Sequence, residues 1–535
     1  MKSTMMSTQL SLNTIFERLD RLFGKQTITS RLPDKSLRVQ TYAEIADRTR
    51  ALAHALQGLG VKPGDRVATL CWNHNAHLEA YFGIPLVGAV MHTLNLRLSG
   101  EEIGWIAGHA GSRVLIVDDV LLPLYQQVAK HHAFDHVIVF PFGGGEVPEG
   151  LHDYEKLIAP HRGKSFTPAP HDENDAIGLC YTSGTTGRPK GVAYSHRSTV
   201  LHSLSMSLPD HCALSSRDRV LAVTPMFHAN CWGMPYAAVL TGASLIMPGP
   251  HLHGDDLLDL IVATQPTLSL GVPTIWLSLI QFMEANPGRW ELPRGMRSLV
   301  GGSAAPESLI RAFAERGVTL LQGWGMTETS PLGTVSFIKP ELADASDDEK
   351  FRRAACAGIP APLVEIRIVN EEGEECPWDG KTPGELQIRG PYITGSYFRL
   401  DHDPDKHTAD GWLRTGDVAV FDELGYMRIT DRTKDLIKSG GEWISSVDME
   451  NALMSHPAVA EAAVIAIPHE KWNERPLACV VFKPGQSATP EELNKVLEGH
   501  FARWQLPDRY EVLDAIPRTS TGKFFKLRLR EMFPA

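Results

Sequence analysis

The chain has 535 residues, 43% hydrophobic and 21% charged, with 52 Lys plus Arg against 63 Asp plus Glu for a formal net charge of −11. That length exceeds what one hydrophobic core organises, so two or more domains of an ordinary globular protein are expected. The acidic balance lacks the basic footprint of a nucleic-acid binder, and seven scattered cysteines without a C-x-x-C pair argue against a disulfide framework or zinc site and for a reducing, cytoplasmic setting.

In chain order, "MKSTMMSTQLSLNTIFERL" lacks the apolar stretch of a signal peptide. Thr41 and Glu44 form a capping-box pattern that opens a helix through "YAEIADRTRALAHALQGLG", ending at Gly60. Short β-rich runs follow: "RVATLC", "SRVLIVDD", "HVIVF", "RVLAV", "SLIM", "TLSLGVP" and "MRSLVGG". Helical patterns such as "DDLLDLIVATQ", "TIWLSLIQFMEA" and "PESLIRAFAERG" separate them, which predicts parallel sheets covered on both faces. "CWGMPYAAVLTGASLIM" is broken by Pro235, Thr241, Gly242 and Ser244. It falls short of the roughly 18 apolar residues of a membrane span and reads as a buried helix, a turn and a buried strand. No integral membrane segment is expected.

From about residue 355, "VEIRIV", "GELQIRG" and "GYMRITD" read as antiparallel strands of a small β-barrel. After "DRTKDLIKSGG", a last block runs helix, strand, strand, helix, strand. The predicted fold is therefore α/β: a large domain over residues 1–431 with parallel and mixed sheets plus the small barrel, and a small α+β domain over residues 432–535.

The most distinctive stretch is "YTSGTTGRPKG", Tyr181 to Gly191, in which seven of eleven positions are Gly, Ser or Thr. Consecutive backbone N–H groups in such a turn form an anion-binding concavity, and hydroxyls with a lysine add donors and charge. The G-x-x-x-x-G-K-[ST] spacing fails, since Arg188 and Pro189 follow Gly187, so this is a phosphate loop of another kind. Further along stand "QGWGMTET" (Gln322 to Thr329), "RTGD" (Arg414 to Asp417), "TDRTKD" (Thr430 to Asp435) and "PRTSTGK" (Pro517 to Lys523).

In this order the five motifs resemble the adenylate-forming superfamily of acyl-CoA synthetases, luciferases and amino-acid adenylation domains, over nearly the whole chain. Within it, "TPMFHANCWG", "GGEWISSVDMEN" and "PHEKWNERP" are similar to the medium- and long-chain fatty acyl-CoA ligase branch and to ligases of short acids such as methylthio-propionate. The resemblance implies an AMP-forming ligase using ATP, Mg²⁺ and coenzyme A on a small-molecule carboxylic acid. A homodimer is compatible with the sequence but not specified by it.

Carried over by motif, Thr182, Ser183, Gly184, Thr185, Thr186, Gly187 and Lys190 would grip the leaving pyrophosphate. Glu328 matches the family's Mg²⁺ ligand, a hard oxygen donor suited to an ion bridging phosphates, and Thr327 adjoins it. Gly302, Ala304, Pro306, Gln322, Gly323 and Trp324 match the adenine pocket. Asp417 matches the carboxylate that accepts the ribose hydroxyls, with Arg432 beside it. His228 and Trp232 lie where the acyl tunnel meets the adenylate, Trp232 resembling a gating indole and Gly323 adjoining. Amino-acid-activating relatives place an Asp where His228 stands, which argues against an amino-acid substrate.

Lys523 matches the lysine of the first half-reaction. An ammonium about 4 Å from two converging anions supplies roughly 4 kcal/mol at an effective dielectric near 20, on the order of a thousandfold in rate if realised only in the transition state. The resemblance further implies that the small domain is mobile and swings about Lys434, bringing Lys438, Gly440, Gly441, Glu442 and Trp443 to the site. There the two glycines would let the pantetheine arm pass close to backbone. Three rivals stand beside this reading: an acyl-AMP ligase loading a carrier protein, a luciferase-type oxygenase, and a nucleotide-binding protein without catalysis. The chain ends 12 residues past Lys523, which predicts no fused carrier domain, and its "MFPA" ending lacks a peroxisomal "SKL".

Overall fold

The computed structural model describes the whole chain except residues 2, 183–187, 401–402, 433–434, 440–441, 520–522 and 535, and the side chains of Glu442 and Trp443. Helix formation follows the sequence cues closely. Thr41 and Glu44 make the reciprocal capping box, the Thr41 amide donating to Glu44 Oε2 at 2.7 Å and the Glu44 amide to Thr41 Oγ1 at 3.2 Å. The helix Tyr42–Gly58 they open ends just before Gly60, whose φ of 79° lies in the left-handed region.

Two large sheets build the first part of the chain. A seven-stranded sheet runs His152–Asp153, His136–Phe140, Ser112–Asp118, Arg66–Leu70, Val90–Thr93, Ala176–Tyr181 and Gly191–Ser195. All its ladders are parallel except the last. A nine-stranded sheet is parallel from Thr27–Arg31 through Ser244–Met247, Arg219–Ala222, Leu268–Gly271 and Arg297–Val300 to Thr319–Gly325, with antiparallel strands at both edges. The helices Gly254–Thr264, Pro273–Ala285 and Glu307–Glu315 stand where their apolar periodicity predicts.

The chain changes texture where expected. Strands Glu365–Val369, Gly384–Arg389, Leu413–Phe421 and Met427–Arg432 pair in that order, antiparallel. Pairing carries on past the last of them: Met427 bridges antiparallel to Gly358, beside the edge strand Ile359–Pro360 of the nine-stranded sheet. The last block matches its predicted order in full: Ser446–Met454, Val459–His469, Asn473–Phe482, Pro490–Leu497 and Arg509–Val512. Its sheet has a separate core that includes Ile437, Ile444, Leu453, Val464 and Val480.

The segment predicted as helix, turn and strand deviates at its start. Helix Met234–Thr241 and strand Ser244–Met247 form, but the residues before them turn left-handed. Among the described residues, no helix is long and apolar enough to cross a membrane.

A buried charge cluster fastens the first sheet's helices together. Arg48 Nε donates to Glu79 Oε1 at 2.7 Å, and its two terminal nitrogens grip Glu155 at 2.8 and 2.7 Å. Tyr154 Oη and Asn75 Nδ2 donate to the same Glu79 carboxylate at 2.6 and 2.9 Å. Arg48→Met would leave Glu79, 0% exposed, as an uncompensated buried charge. Denaturant titration is expected to register a loss of about 3–5 kcal/mol; an unchanged midpoint would show the cluster to be dispensable.

Candidate active site

The site assembles where the ends of both large sheets meet the small domain. Strand Arg219–Ala222 of the larger sheet ends in the loop that carries His228, and Asn73 from the other sheet's neighbourhood clamps that loop. Asn73 Nδ2 donates to the carbonyls of Ala222 and Thr224, both at 2.8 Å, and Asn73 Oδ1 accepts from the Met226 amide at 2.8 Å. Tyr81 Oη donates to the Met226 carbonyl. His228 therefore leaves from a backbone fixed on both sides.

Beyond it the chain winds left-handed for five residues: Ala229, Asn230, Cys231, Trp232 and Gly233 have φ of 43°, 52°, 53°, 55° and 72°. Left-handed helix costs roughly 1–2 kcal/mol per non-glycine residue, so surrounding contacts must hold it. Cys180 Sγ donates to Asn230 Oδ1 at 3.0 Å and Cys231 Sγ to the Thr224 carbonyl at 2.9 Å. The turn delivers the Trp232 indole, 8% exposed, against Gly301, where any Cβ would come within 3.3 Å of the ring and 3.0 Å of the Gly323 carbonyl.

Two cavities meet here. The first, about 530 Å³, is lined in part by Met206, Phe227, Trp232, Leu299, Pro331 and Leu332. Six cations, Arg97, Arg188, Lys190, Lys406, Arg432 and Lys523, and the single carboxylate of Glu328 share that lining, Arg97 lying 5.9 Å from the centre of the Phe227 ring. The second, about 930 Å³, takes in Ala304, Pro306, Gln322 and Asp417. Gly302, Gly323, Trp324, Gly325, Arg432 and Lys523 line both. Lys523 thus stands at the junction, its stem passing 3.8 Å from the position a Gly302 Cβ would take.

Partners fix the polar groups. Tyr397 Oη donates to Glu328 Oε1 at 2.7 Å, and the Thr327 carbonyl accepts from Tyr194 Oη at 2.7 Å. Trp324 Nε1 donates to Asp417 Oδ2 at 2.8 Å, and Arg432 Nε lies 3.1 Å from Asp417 Oδ1. Gln322 Oε1 accepts from the Ala305 amide at 2.9 Å, holding the chain beside Ala304 and Pro306. Lys190 Nζ pairs with Asp403 at 3.1 Å and sits 4.8 Å above the Tyr397 ring. Its amide donates to Thr182 Oγ1 at 3.1 Å, closing the base of the phosphate loop.

Burial, together with the neighbouring Arg432, brings the Lys523 ammonium down to about 8, opposed by Asp417 and Glu328. Burial likewise brings His228 down to about 4, assisted by Lys523 and Arg97, so His228 is neutral at pH 7.

Most of the expected site residues converge: Thr182, Lys190, His228, Trp232, Gly302, Gly323, Trp324, Thr327, Glu328, Arg432 and Lys523 share the first cavity, and Ala304, Pro306, Gln322 and Asp417 the second. Ser183, Gly184, Thr185, Thr186, Gly187, Lys434, Gly440 and Gly441 lie outside the described residues. Lys438 is not in the described lining of either cavity: it pairs with Trp443 between the strands Ile437–Ser439 and Glu442–Ile444, where Ser439 pairs with Glu442, and its Nζ meets Glu371 at 3.2 Å. The side chains of Glu442 and Trp443 lie outside the described residues. Sequence reasoning missed Tyr397, Asp403, Arg97 and Asn73. Tyr397 is 69 residues from Glu328, and no spacing rule connects them.

Against known proteins, a family model described as AMP-binding enzyme matches residues 24–398, and one described as AMP-binding enzyme C-terminal domain matches residues 448–523. The chain is 50% identical to a long-chain-fatty-acid–CoA ligase of Thermus thermophilus, covering 99% of this chain and 97% of the relative. It is 42% identical to a 3-methylmercaptopropionyl-CoA ligase of Ruegeria pomeroyi, covering 100% and 99%. The solved structure of an anthranilate CoA ligase in complex with anthranoyl-AMP superposes with a TM-score of 0.87 at 26% identity, covering 99% of each chain. The chain belongs to the AMP-binding enzyme family.

Orphaning a buried backbone group costs about 1–3 kcal/mol, and Asn73→Ala would remove three hydrogen bonds to the loop before His228, leaving the Thr224 carbonyl only the Cys231 thiol. Hydrogen exchange should show the Met226 amide losing protection and the melting temperature falling; full protection at Met226 would show that the clamp is not Asn73.

Proposed function

We propose that the protein is an AMP-forming acyl-CoA ligase acting on a medium- or long-chain fatty acid. One observation carries the reading: six cations and one carboxylate line a single cavity together with apolar side chains, in a chain whose net charge is −11. Such a lining suits a polyanion together with an alkyl chain.

A carboxylate oxygen attacks the α-phosphorus of ATP, forming a mixed anhydride with AMP as the bond to the β-phosphate oxygen breaks and pyrophosphate leaves. The sulfur of CoA then attacks the acyl carbon, the thiol proton going to solvent, and AMP departs. Thr182, Lys190 and the loop between them hold the departing phosphates. Asp417, fixed by Trp324 and Arg432, takes the ribose hydroxyls, and Gln322 shapes the adenine site. Trp232 and its neighbours receive the acyl chain, and Lys523 offsets the repulsion between carboxylate and α-phosphate.

Glu328 fits a magnesium ion, being a hard oxygen donor on the cavity wall that Tyr397 orients through one carboxylate oxygen. When bound, the ion supplies charge neutralisation across the phosphates. Seven free cysteines accord with a reducing, cytoplasmic setting. The 3-methylmercaptopropionyl-CoA ligase relative supports a second reading, a short or substituted acid in the same pocket.

Turnover with ATP, magnesium, CoA and acids from C3 to C18, including methylthio and aryl acids, tests the proposal: AMP should appear with the thioester for at least one acid, and ADP as the nucleotide product would refute it. Lys523→Ala should abolish acyl-adenylate formation yet spare thioester formation from preformed adenylate; wild-type pyrophosphate exchange in that variant would remove Lys523 from its role.

The ammonium form of Lys523 is the useful one, and its folded value lies below that of an ordinary lysine. kcat/KM for adenylation should therefore fall as pH rises through about 8. That limb should be missing in the residual activity of Lys523→Ala; its persistence would assign the ionisation elsewhere.

A further inference from the structure

Lys523 stands in the cavity only if the small domain's last segment is held there, and the structure shows what holds it. The loop bearing Lys523 closes on itself: the Lys523 amide donates to Thr519 Oγ1 at 3.2 Å, the Thr519 amide to the Lys523 carbonyl at 2.8 Å, and the Phe525 amide to the Pro517 carbonyl at 2.8 Å. These bonds shape the loop, and Arg518 ties its start to Glu461 on the strand Val459–His469.

Further fastening comes three residues later. Lys526, first residue of the helix Lys526–Met532, is only 12% exposed; its Nζ donates to Ser446 Oγ at 2.6 Å and lies 2.7 Å from Glu450 Oε1. Ser446 and Glu450 belong to the helix Ser446–Met454. The Ser446 amide donates at 2.9 Å to Asp431 Oδ2, on the last strand of the four-stranded sheet, and Ser445 Oγ donates to the Thr430 carbonyl at 2.5 Å. One turn after Lys526, Arg530 reaches Asp435 at 2.7 Å. The helix that follows the catalytic loop is thus pinned by two cations, four residues apart: Lys526 to Glu450 and through Ser446 to Asp431, and Arg530 to Asp435.

The charges are unevenly matched. Asp431 and Glu450 are both buried, and burial holds both carboxyls above their ordinary range, with Lys526 drawing each back. Burial alone would lower Lys526, but Glu450 and Asp431 more than offset this and raise it. A lysine buried against two carboxylates is costly to leave unpaired, so its geometry is strongly enforced.

We infer that Lys526 is a positioning residue for Lys523: it ties the helix that begins three residues after Lys523 to the Ser446–Met454 helix and thereby to Asp431, and so sets where Lys523 stands in the cavity. The inference rests on the ligase reading above. Asp431 belongs to the body that holds the nucleotide site, whereas Ser446, Glu450 and Lys526 travel with the small domain. The contacts of Lys526 itself lie within the small domain, and the bond that crosses to the nucleotide body is that of the Ser446 amide to Asp431. Lys523 is used only in the arrangement seen here, so its positioning is not needed for a step that uses another arrangement.

The test uses full-length Lys526→Met and Lys526→Arg. Pyrophosphate exchange into ATP reads the first half-reaction, thioester formation from supplied acyl-adenylate reads the second, and a melting curve monitors folding. Lys526→Met should lower exchange about 10- to 100-fold, the scale of a side chain misplaced by an ångström. Thioester formation should stay near the wild-type rate, and Lys526→Arg should restore most of the exchange.

If the single variant fails to fold, Lys526→Met with Glu450→Gln removes both charges while leaving the Val464 amide its acceptor, and the same selective loss of exchange is expected. Equal loss of both half-reactions without recovery in Lys526→Arg would overturn the inference, as would wild-type exchange in Lys526→Met. Wild-type protein giving no exchange with any acid would overturn the ligase reading and this inference with it; normal exchange by the wild type and by Lys526→Met alike would overturn the inference alone.

Discussion

A carboxylate and a triphosphate repel each other, and the site is organised around overcoming that repulsion. In an acidic chain, six cations and a single carboxylate, Glu328, line one cavity. The cations come from distant parts of the sequence. Arg97 precedes the phosphate loop, Arg188 and Lys190 close it, Lys406 and Arg432 belong to the small antiparallel sheet's surroundings, and Lys523 comes from the last domain. No local element could carry them all; only a fold that brings two sheet ends and a second domain together at one point can do so.

The same convergence explains features that look wasteful in isolation. Four consecutive non-glycine residues wound left-handed are expensive, yet they set His228 and Trp232 on adjoining walls of the cavity. Buried side chains from the neighbouring sheet hold that turn: Asn73 on the backbone before it and Cys180 on Asn230 within it. A site that spans two sheets needs such ties, because neither sheet's own ladder reaches the loop. Within the small domain Lys526 does corresponding work, with charge in place of amide groups, on the helix whose Ser446 amide reaches Asp431.

Much of this was legible from residues in order. Alternating strand and helix patterns gave the parallel sheets, and Thr41 with Glu44 gave a helix start. What stayed hidden is contact between residues far apart in sequence. Tyr397 on Glu328 and Asn73 on Met226 have no spacing signature. The left-handed turn was hidden for a different reason: Ala229, Cys231 and Trp232 have no preference for that conformation, so tertiary contacts override local propensity. How the four antiparallel strands join the larger sheet, through Met427 and Gly358, was hidden too, because alternation along a strand reports its faces and not its neighbours.

What all of these arrangements serve is attack by a carboxylate oxygen on the α-phosphorus. Single turnover with a fatty acid labelled with ¹⁸O in its carboxyl group follows that oxygen directly. One labelled atom should be found in the phosphate of AMP and none in pyrophosphate; unlabelled AMP, or label in inorganic phosphate alongside ADP, would contradict the role assigned to the cavity.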